Sequence, residues 1–230
     1  MDRRSYGQYQ SFYGEAYSVG AYRLQFDSVQ KDPFAAPSRV CLEIDGNQAN
    51  LPGWSLAAPE GRRATEDYLH RALMRELALK RMQIGSGNSG RLEMASLGQQ
   101  VLERTSVAVD TNGGVRVRLR VGLPAQGRRI LGEAAVGLMT ERLPSAIDRV
   151  FVSLDLNGLR RHVWSVEDQV CLRSQLAKTG LVAFLREGSV LPRRSGADDR
   201  PMDDALPLLV EDRLAYKLET PHSGFVRGLG

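Results

Sequence analysis

The chain has 230 residues, of which 42% are hydrophobic and 25% charged, with a formal net charge of +4. These proportions exclude a disordered segment and predict a globular protein with a hydrophobic core, while the small positive charge favours acidic partners only weakly. Two cysteines exclude a disulfide framework, and no apolar run suits a signal peptide or a membrane span. We therefore expect a cytoplasmic protein with no membrane partner.

Tyrosines recur near the N-terminus at helical spacing. Tyr6, Tyr9 and Tyr13 lie three and four residues apart in a stretch otherwise rich in Gly, Ser and Gln. The pattern favours a short helix that packs its tyrosines inward. Stacking on nucleic-acid bases, beside Arg3 and Arg4, is the alternative.

Two strands and a helix are predicted next. Residues 21–30 and 38–45 have strand-like composition and are separated by a proline-containing turn. Residues 46–60 are predicted to be a loop. Residues 65–82 place leucines on one helical face, with acidic residues at the start and basic residues at the end.

Three shorter strands are predicted at residues 91–95, 105–110 and 115–121. Residues 110–114 read Asp-Thr-Asn-Gly-Gly, which predicts a hairpin turn between the last two strands.

The C-terminal half is predicted to mix helices with short strands. A helical pattern covers residues 131–151 with an interruption at Pro144, and another covers 165–178 with Ser165 as its N-cap. The remaining segments are a short buried strand at 181–186, an irregular stretch at 188–207 and a strand at 214–220. The predicted fold class is α+β, or mixed α/β, with an antiparallel-rich sheet packed against several helices.

Hydrophobic residues and arginines alternate strictly in the strand predicted at 115–121. Because successive side chains of a strand point to opposite faces, the apolar residues can enter a core while three arginines stand together on the other face, ~6.6 Å apart. Residues 111–132 contain no acid, so these charges have no partner nearby in the sequence. Contact with nucleic-acid phosphates is the favoured interpretation, and a solvated face or ion pairs with a neighbouring strand is the alternative. The arginines of this window are Arg116, Arg118, Arg120, Arg128 and Arg129.

Two further segments are candidates for phosphate contact. Residues 85–90 read Gly-Ser-Gly-Asn-Ser-Gly, but the loop lacks a Gly-Lys-Ser/Thr ending and follows a predicted helix, so it is no Walker A loop. Its backbone N–H groups could still approach a phosphate through Ser86, Gly87, Asn88 and Ser89, and a plain helix-to-strand connection is the alternative. The turn that carries Lys31, Ser38 and Arg39 is the second of these candidates.

The sequence offers no catalytic or metal-binding constellation. His70, His162 and His222 are scattered singly, and their spacing to acids and cysteines matches no metal site. Structural or surface roles are predicted for all three. Several arginines at 193–200 lie among aspartates, which favours mutual neutralisation, with a site facing a nucleotide or another domain as the alternative.

An ordered series of segments resembles the ATPases of the ABC class, a family with a distinctive region before its ATPase core. The series spans most of the chain and is far more specific than any single motif. The matching residues are 27–39, 85–90, 100–107, 115–132, 166–169, 180–184, 189–193 and 199–202. Residues 214–230 resemble the opening strands of the ATPase core.

The resemblance implies a division of the chain and a role. Residues 1–164 would form an N-terminal nucleic-acid-binding domain, 165–204 a connector and 205–230 the start of the core. Walker A, Walker B and the ABC signature are missing, so we expect an N-terminal fragment without enzymatic activity or cofactor of its own. ATP and Mg²⁺ are expected for the longer parent protein, which would dimerise through its core, whereas the fragment would be monomeric.

Relatives are linked to nucleic-acid handling, so the resemblance implies that this domain grips the backbone of RNA or DNA. A duplex or an RNA–DNA hybrid is the expected ligand, with little sequence specificity. The alternative is a regulatory domain that docks on its own ATPase core and controls dimerisation without nucleic acid.

Overall fold

The computed structural model describes residues 4–79 and 84–230, which divide into two compact units. The first comprises residues 1–96 and 102–156, and the second 97–101 and 157–230. Strands and helices alternate irregularly along the chain, and every strand pairing described is antiparallel. This architecture confirms the predicted α+β class.

A six-stranded antiparallel sheet forms the centre of the first unit. Its order is β1-β2-β3-β6-β4, and β5 also pairs with β6, on the edge that faces away from β3. These strands are β1 (Ala16–Val19), β2 (Tyr22–Ser28), β3 (Ser38–Ile44), β4 (Leu92–Glu93), β5 (Val107–Val109) and β6 (Val115–Val121). A small hairpin follows, made of β7 (Ala125–Gln126) and β8 (Arg129–Ile130).

Helices cover one face of this sheet and form the core with it. Leu69, Leu73 and Leu77 of the long helix are fully buried, together with Ile147 and the alternate strand residues that point to this side. Their burial removes large apolar side chains from water, which stabilises the unit and leaves the opposite sheet face to solvent. The helices of this unit are α1 (Gly46–Ala49), α2 (Pro59–Leu79), α3 (Gly132–Gly137) and α4 (Leu143–Val152), with a 3-10 turn at Gly53–Ser55 and a π-helical stretch at Leu138–Arg142.

The second unit pairs a long helix with a three-stranded sheet. Asp168 is buried on the helix and accepts hydrogen bonds from the backbone N–H of His222 at 3.0 Å and of Ser223 at 3.1 Å, which fixes the turn of the strand hairpin. The Ser223 hydroxyl donates to the same carboxylate at 2.6 Å. The elements are α5 (Leu156–Thr179), β9 (Leu185–Arg186), β10 (Ala215–Thr220) and β11 (Gly224–Leu229), with a 3-10 turn at Asp212–Leu214.

Two helices begin earlier than the sequence pattern indicated. Helix α2 begins at Pro59, so the predicted loop at 46–60 is wrong in part; proline at the first helical position has its φ already set, and Glu60 complements the helix dipole there. Helix α5 begins at Leu156, so Ser165 lies inside it and is not its N-cap. The predicted end of α2 at residues 80–82 lies outside the described residues.

Three smaller differences concern short segments. The predicted buried strand at 181–186 is reduced to Leu185–Arg186, both exposed, and strand β1 was not predicted at all. Tyr6 and Tyr9 are buried on a 3-10 helix, Tyr6–Phe12, whereas Tyr13 follows that helix and is exposed. The expected interruption at Pro144 is confirmed, because the π-helical stretch ends shortly before it.

Within the described ranges, no helix is long and apolar enough to cross a membrane.

Candidate nucleic-acid interface

Strand β6 divides its side chains cleanly between the core and the open face of the sheet. Its four apolar residues are buried, and Arg116, Arg118 and Arg120 are exposed. The alternation follows from the two-residue period of a strand, with the apolar set committed to the core. The three arginines therefore project from one surface, as the sequence pattern predicted.

Arg120 and Arg39 lie directly opposite each other on adjacent strands. The register of β3 against β6 pairs Arg39 with Arg120, and places Glu43 opposite Arg116. Side chains at opposed positions of an antiparallel pair have Cβ atoms only about 5 Å apart, and like charges there are destabilising. Within the described residues no ion pair neutralises Arg120. Its other cross-strand neighbour, Glu93, is paired with Arg91 at 3.4 Å.

Carboxylates on β3 and β2 partner the other two arginines. Arg116 Nε lies 3.3 Å from Glu43 Oε1, and Arg118 Nε lies 3.9 Å from Asp27 Oδ2. The side chains of both pairs remain about two-fifths to one-half exposed, so each pair contributes roughly 0–1 kcal/mol and can exchange with another anion. The alternative of ion pairs with a neighbouring strand thus holds for Arg116. Arg118 instead pairs across β3 with a residue of β2, and Arg120 has no ion pair among the described residues.

Cys41 lies on this same face, beneath the arginines. It sits opposite Arg118 and is only 8% exposed. Burial raises the pKa of its thiol, and the guanidinium groups of Arg118 and Arg116 oppose that rise. The thiol is therefore protonated at neutral pH and acts as a small apolar group under the charged surface.

The Gly85–Gly90 loop uses its backbone donors within the protein. The N–H of Ser86 donates to the carbonyl of Ala125 at 2.8 Å, that of Asn88 to Pro33 at 2.7 Å, and that of Gly90 to Gly122 at 2.8 Å. The Ser89 hydroxyl donates to the Ser86 carbonyl at 2.6 Å. These donors face protein carbonyls and leave little for a phosphate, so the structure gives the loop a packing role.

Gly87 explains how this loop fits against its neighbour. Its φ is +61°, and a Cβ built there would lie 2.3 Å from the Pro33 carbonyl oxygen. The loop is thereby packed tightly against the turn that carries Lys31. Lys31 itself is exposed, whereas Ser38 is fully buried and its hydroxyl accepts from the Gln30 backbone N–H at 2.9 Å. Of this turn's three candidates, Lys31 and Arg39 therefore reach solvent and Ser38 does not.

Arg128 and Arg129 occupy the exposed end of the β7–β8 hairpin. The Gly127 N–H donates to the Ser86 hydroxyl at 3.0 Å, which joins this hairpin to the Gly85–Gly90 loop. The carbonyl of Arg4 accepts from the Ile130 N–H at 2.9 Å, so the N-terminal segment lies along the hairpin as well. Three segments that are distant in sequence thus meet beyond the end of β6.

Arg23 is a charged residue of this face that sequence reasoning did not select. It is exposed on β2 and lies opposite Glu43. The alternation of β2 could have revealed it, but a single arginine among polar residues gives a weak signal. Arg23 also lines a cleft of about 750 Å³ with Arg116, Asp45 and Asp110, where the charges are mixed.

The remaining sequence candidates have local partners. His70 is buried between the Ala95 carbonyl and the Ser106 hydroxyl, each at 2.8 Å. Arg200 binds Asp198 with both ends of its guanidinium, and this holds the pKa of the aspartate at about 2. The structure shows no group of His, Cys, Asp or Glu placed to hold a metal ion in residues 4–79 and 84–230.

Comparison with protein families accounts for both parts of the chain. Residues 1–154 match the model described as the N-terminal region of ATPases of the ABC class, and residues 155–230 match the P-loop domain of an ABC ATPase. A search of curated proteins found no match. The first family model alone covers more than half of the chain, so the chain belongs to the ABC-class ATPases.

Proposed function

We propose that the first unit binds the phosphate backbone of nucleic acid through the open face of its sheet. The like charges of Arg39 and Arg120 are the observation that carries this proposal. Neither arginine forms an ion pair among the described residues, since Glu93, the acid opposite Arg120, is paired with Arg91, and a bound anion would relieve their repulsion. The proposed contact residues are Lys31, Arg39, Arg116, Arg118, Arg120, Arg128 and Arg129.

The geometry suits a backbone ligand better than a base-reading one. Arginines on alternate positions of one strand form a row with a step of ~6.6 Å. Each proposed contact residue lies on a strand or a turn, and none lies on a helix that could enter a groove. Phosphate contacts position a nucleic acid without reading its sequence. We therefore propose duplex RNA, duplex DNA or their hybrid as the ligand, with little sequence preference.

Two of the arginines form weak, half-exposed ion pairs with carboxylates in the free protein. A phosphate that approaches Arg116 or Arg118 would displace Glu43 or Asp27 from a half-exposed pair. Because such pairs contribute little to stability, the exchange costs little free energy. Ser86, Gly87, Asn88 and Ser89 would support the neighbouring hairpin from below instead of contacting phosphate.

ATP and Mg²⁺ belong to the P-loop family as a whole. The 230-residue sequence contains no Gly-x-x-x-x-Gly-Lys-Ser/Thr segment, and the backbone donors of its glycine-rich loop are engaged within the protein. No residue of this chain is therefore assigned to the nucleotide, and we place its hydrolysis outside the proposed function of this chain.

The proposal is tested by titrating the full chain into labelled duplex RNA, duplex DNA and hybrid at low and moderate salt. The triple variant R116Q/R118Q/R120Q keeps part of each aliphatic stem on this face but removes three charges. The matched control R142Q/R173Q/R213Q removes three exposed arginines elsewhere and has the same net charge.

We expect the first variant to lose at least tenfold in affinity and the control to bind within about threefold of the natural chain. Equal loss in both variants would reduce the effect to net charge. No binding by the natural chain at low salt would favour the rival role, a docking domain whose arginines pair with acidic protein surface.

A further inference from the structure

A separate cavity lies in the first unit, bounded by strand β2, helix α1 and the end of helix α4. Its volume is about 390 Å³, which falls in the range of small-molecule sites. Apolar side chains form most of its wall and a few polar groups converge at one side. The principal lining residues are Tyr22, Gln48, Asp148, Phe151, Val152 and Leu154.

The polar side of this cavity is organised around Tyr22. Tyr22 is 4% exposed, and its hydroxyl donates a short hydrogen bond to Asp148 Oδ1. Burial, followed by the contact with Asp148, raises the pKa of Tyr22, so the phenol stays protonated and keeps donating. Gln48 acts in the opposite direction and lowers the pKa of Tyr22, but its effect is smaller than those of burial and Asp148.

Two acceptor groups on this side lack donors, and Asp148 is the one open to a ligand. Gln48 Oε1 is buried and has no hydrogen-bond partner among the described residues, which is a costly state for a buried amide oxygen. Asp148 receives one hydrogen bond from Tyr22 and is otherwise exposed. The Gln48 oxygen and the Asp148 carboxylate are both acceptors, so each needs an N–H or O–H donor.

The charge of the cavity has one sign. Among the described residues that line it, Asp148 is the one with a formal charge. Val152 is 88% exposed, so an apolar side chain stands open to solvent at this cavity. The site therefore combines a negative charge, a buried amide acceptor and an aromatic and aliphatic wall.

We propose that this cavity binds a small organic cation, an amidinium or ammonium group carried on a compact apolar body. Its N–H groups would donate to Asp148, and to Gln48 Oε1 once that side chain turns toward the cavity, and its apolar part would pack against Phe151 and Leu154. This proposal concerns a different face of the unit from the arginine strand and does not depend on nucleic-acid binding.

The test is a titration of the full chain with benzamidine, a flat amidinium, followed by ¹H–¹⁵N NMR. Benzoate has nearly the same shape and the opposite charge, so it serves as the matched ligand control. We expect saturable shifts at Tyr22, Ala49 and Phe151 with a Kd of about 1 mM, as suits a nine-atom ligand, and no saturable shift with benzoate.

Variants separate the two acceptors. D148N removes the charge and should weaken benzamidine binding at least tenfold, whereas E141Q, an exposed carboxylate on the same helical stretch, should leave Kd unchanged. Q48M keeps the Tyr22–Asp148 hydrogen bond, so it tests the site even where D148N fails to fold, and should weaken binding about threefold or more. The proposal is overturned by equal binding of benzamidine and benzoate, by natural affinity in both D148N and Q48M, or by no saturable shift up to about 10 mM benzamidine.

Discussion

At the scale of single residues, the proposed function gives the pair Arg39 and Arg120 opposite expected consequences for stability and for binding. The two guanidinium groups extend from opposed positions of neighbouring strands, and Arg39 directs its Nε to the Ser28 hydroxyl at 3.1 Å. The hydroxyl is neutral, so it orients Arg39 without cancelling its charge. On the proposed function, the repulsion between the two arginines is relieved when an anion binds.

The first prediction concerns Arg120→Gln. Removing one charge of the opposed pair should raise the free energy of unfolding of the free protein by about 0.2–1 kcal/mol, measured by urea denaturation at low salt. The same variant should bind duplex less tightly than the natural chain. Arg116→Gln is the control, since it loses an attractive pair with Glu43 and should not gain stability. A loss of stability in Arg120→Gln equal to that in the control would contradict the assignment of a repulsive pair.

His70 is a second residue with a measurable consequence. The Ala95 carbonyl can only accept, so Nε2 carries the proton and Nδ1 accepts from the Ser106 hydroxyl. Burial lowers the pKa of His70, and this outweighs the opposing effect of the Ala95 carbonyl. The folded protein therefore holds this imidazole neutral where the unfolded chain begins to protonate it.

This gives a prediction with a definite sign. As the pH falls below about 6.5, the unfolded chain binds a proton at His70 and the folded chain does not, because its His70 has a lower pKa. The free energy of unfolding therefore falls with the pH. His70→Gln removes the titration, so its stability should decline less steeply than that of the natural chain between pH 7 and 5. Urea denaturation at three pH values in that range measures the two slopes, and parallel slopes would show that His70 does not titrate differently on folding.

At the scale of elements, predictability from the sequence depends on how local the signal is. Strand β6 has the predicted bounds because its strict alternation leaves one way to bury four apolar residues. The predicted start of helix α5 is too late because Ser165 resembles an N-cap. The part of the helix before Ser165 has only two buried residues, Leu159 and Val163, so its periodic signal is weak. The opposition of Arg39 and Arg120 depends on which strands pair and in which register, and no pattern within either strand contains that information.

The junction between the Gly85–Gly90 loop and the segment after β6 is the element most sensitive to substitution. A Cβ on Gly122 would lie 1.7 Å from the Asn88 carbonyl oxygen, and Gly122 also exchanges backbone hydrogen bonds with Gly90 and Arg91. Neither backbone can move without breaking those bonds. The loop thus has a structural reason for its composition, independent of any phosphate.

Gly122→Ala should therefore destabilise the protein by about 2–4 kcal/mol, the range for forced overpacking of backbone. Gly137→Ala is the control, because Gly137 is helical with open space at its Cβ position and should gain up to about 1 kcal/mol. Thermal unfolding of the two variants beside the natural chain gives the comparison. A Gly122→Ala variant as stable as the control would mean that the loop and the strand end are not in contact.

At the scale of the whole molecule, the chain combines an N-terminal unit with a charged sheet face and a second unit from a P-loop domain. The family identity was foreseeable from a series of segments spread over most of the sequence. The central claim is the proposal that this charged face binds nucleic acid. It rests on a row of arginines along a strand, an arrangement that suits an extended polyanion.

The most direct test is the salt dependence of duplex binding by the natural chain and by R116Q/R118Q/R120Q. Each arginine that neutralises a phosphate releases counterions and adds about 0.7–0.9 to the slope of log K against log salt. We predict that the triple variant lowers this slope by about 2–3 while the arginine control variant keeps the natural value. The same slope in all three proteins would contradict the claim that the β6 arginines grip a nucleic-acid backbone.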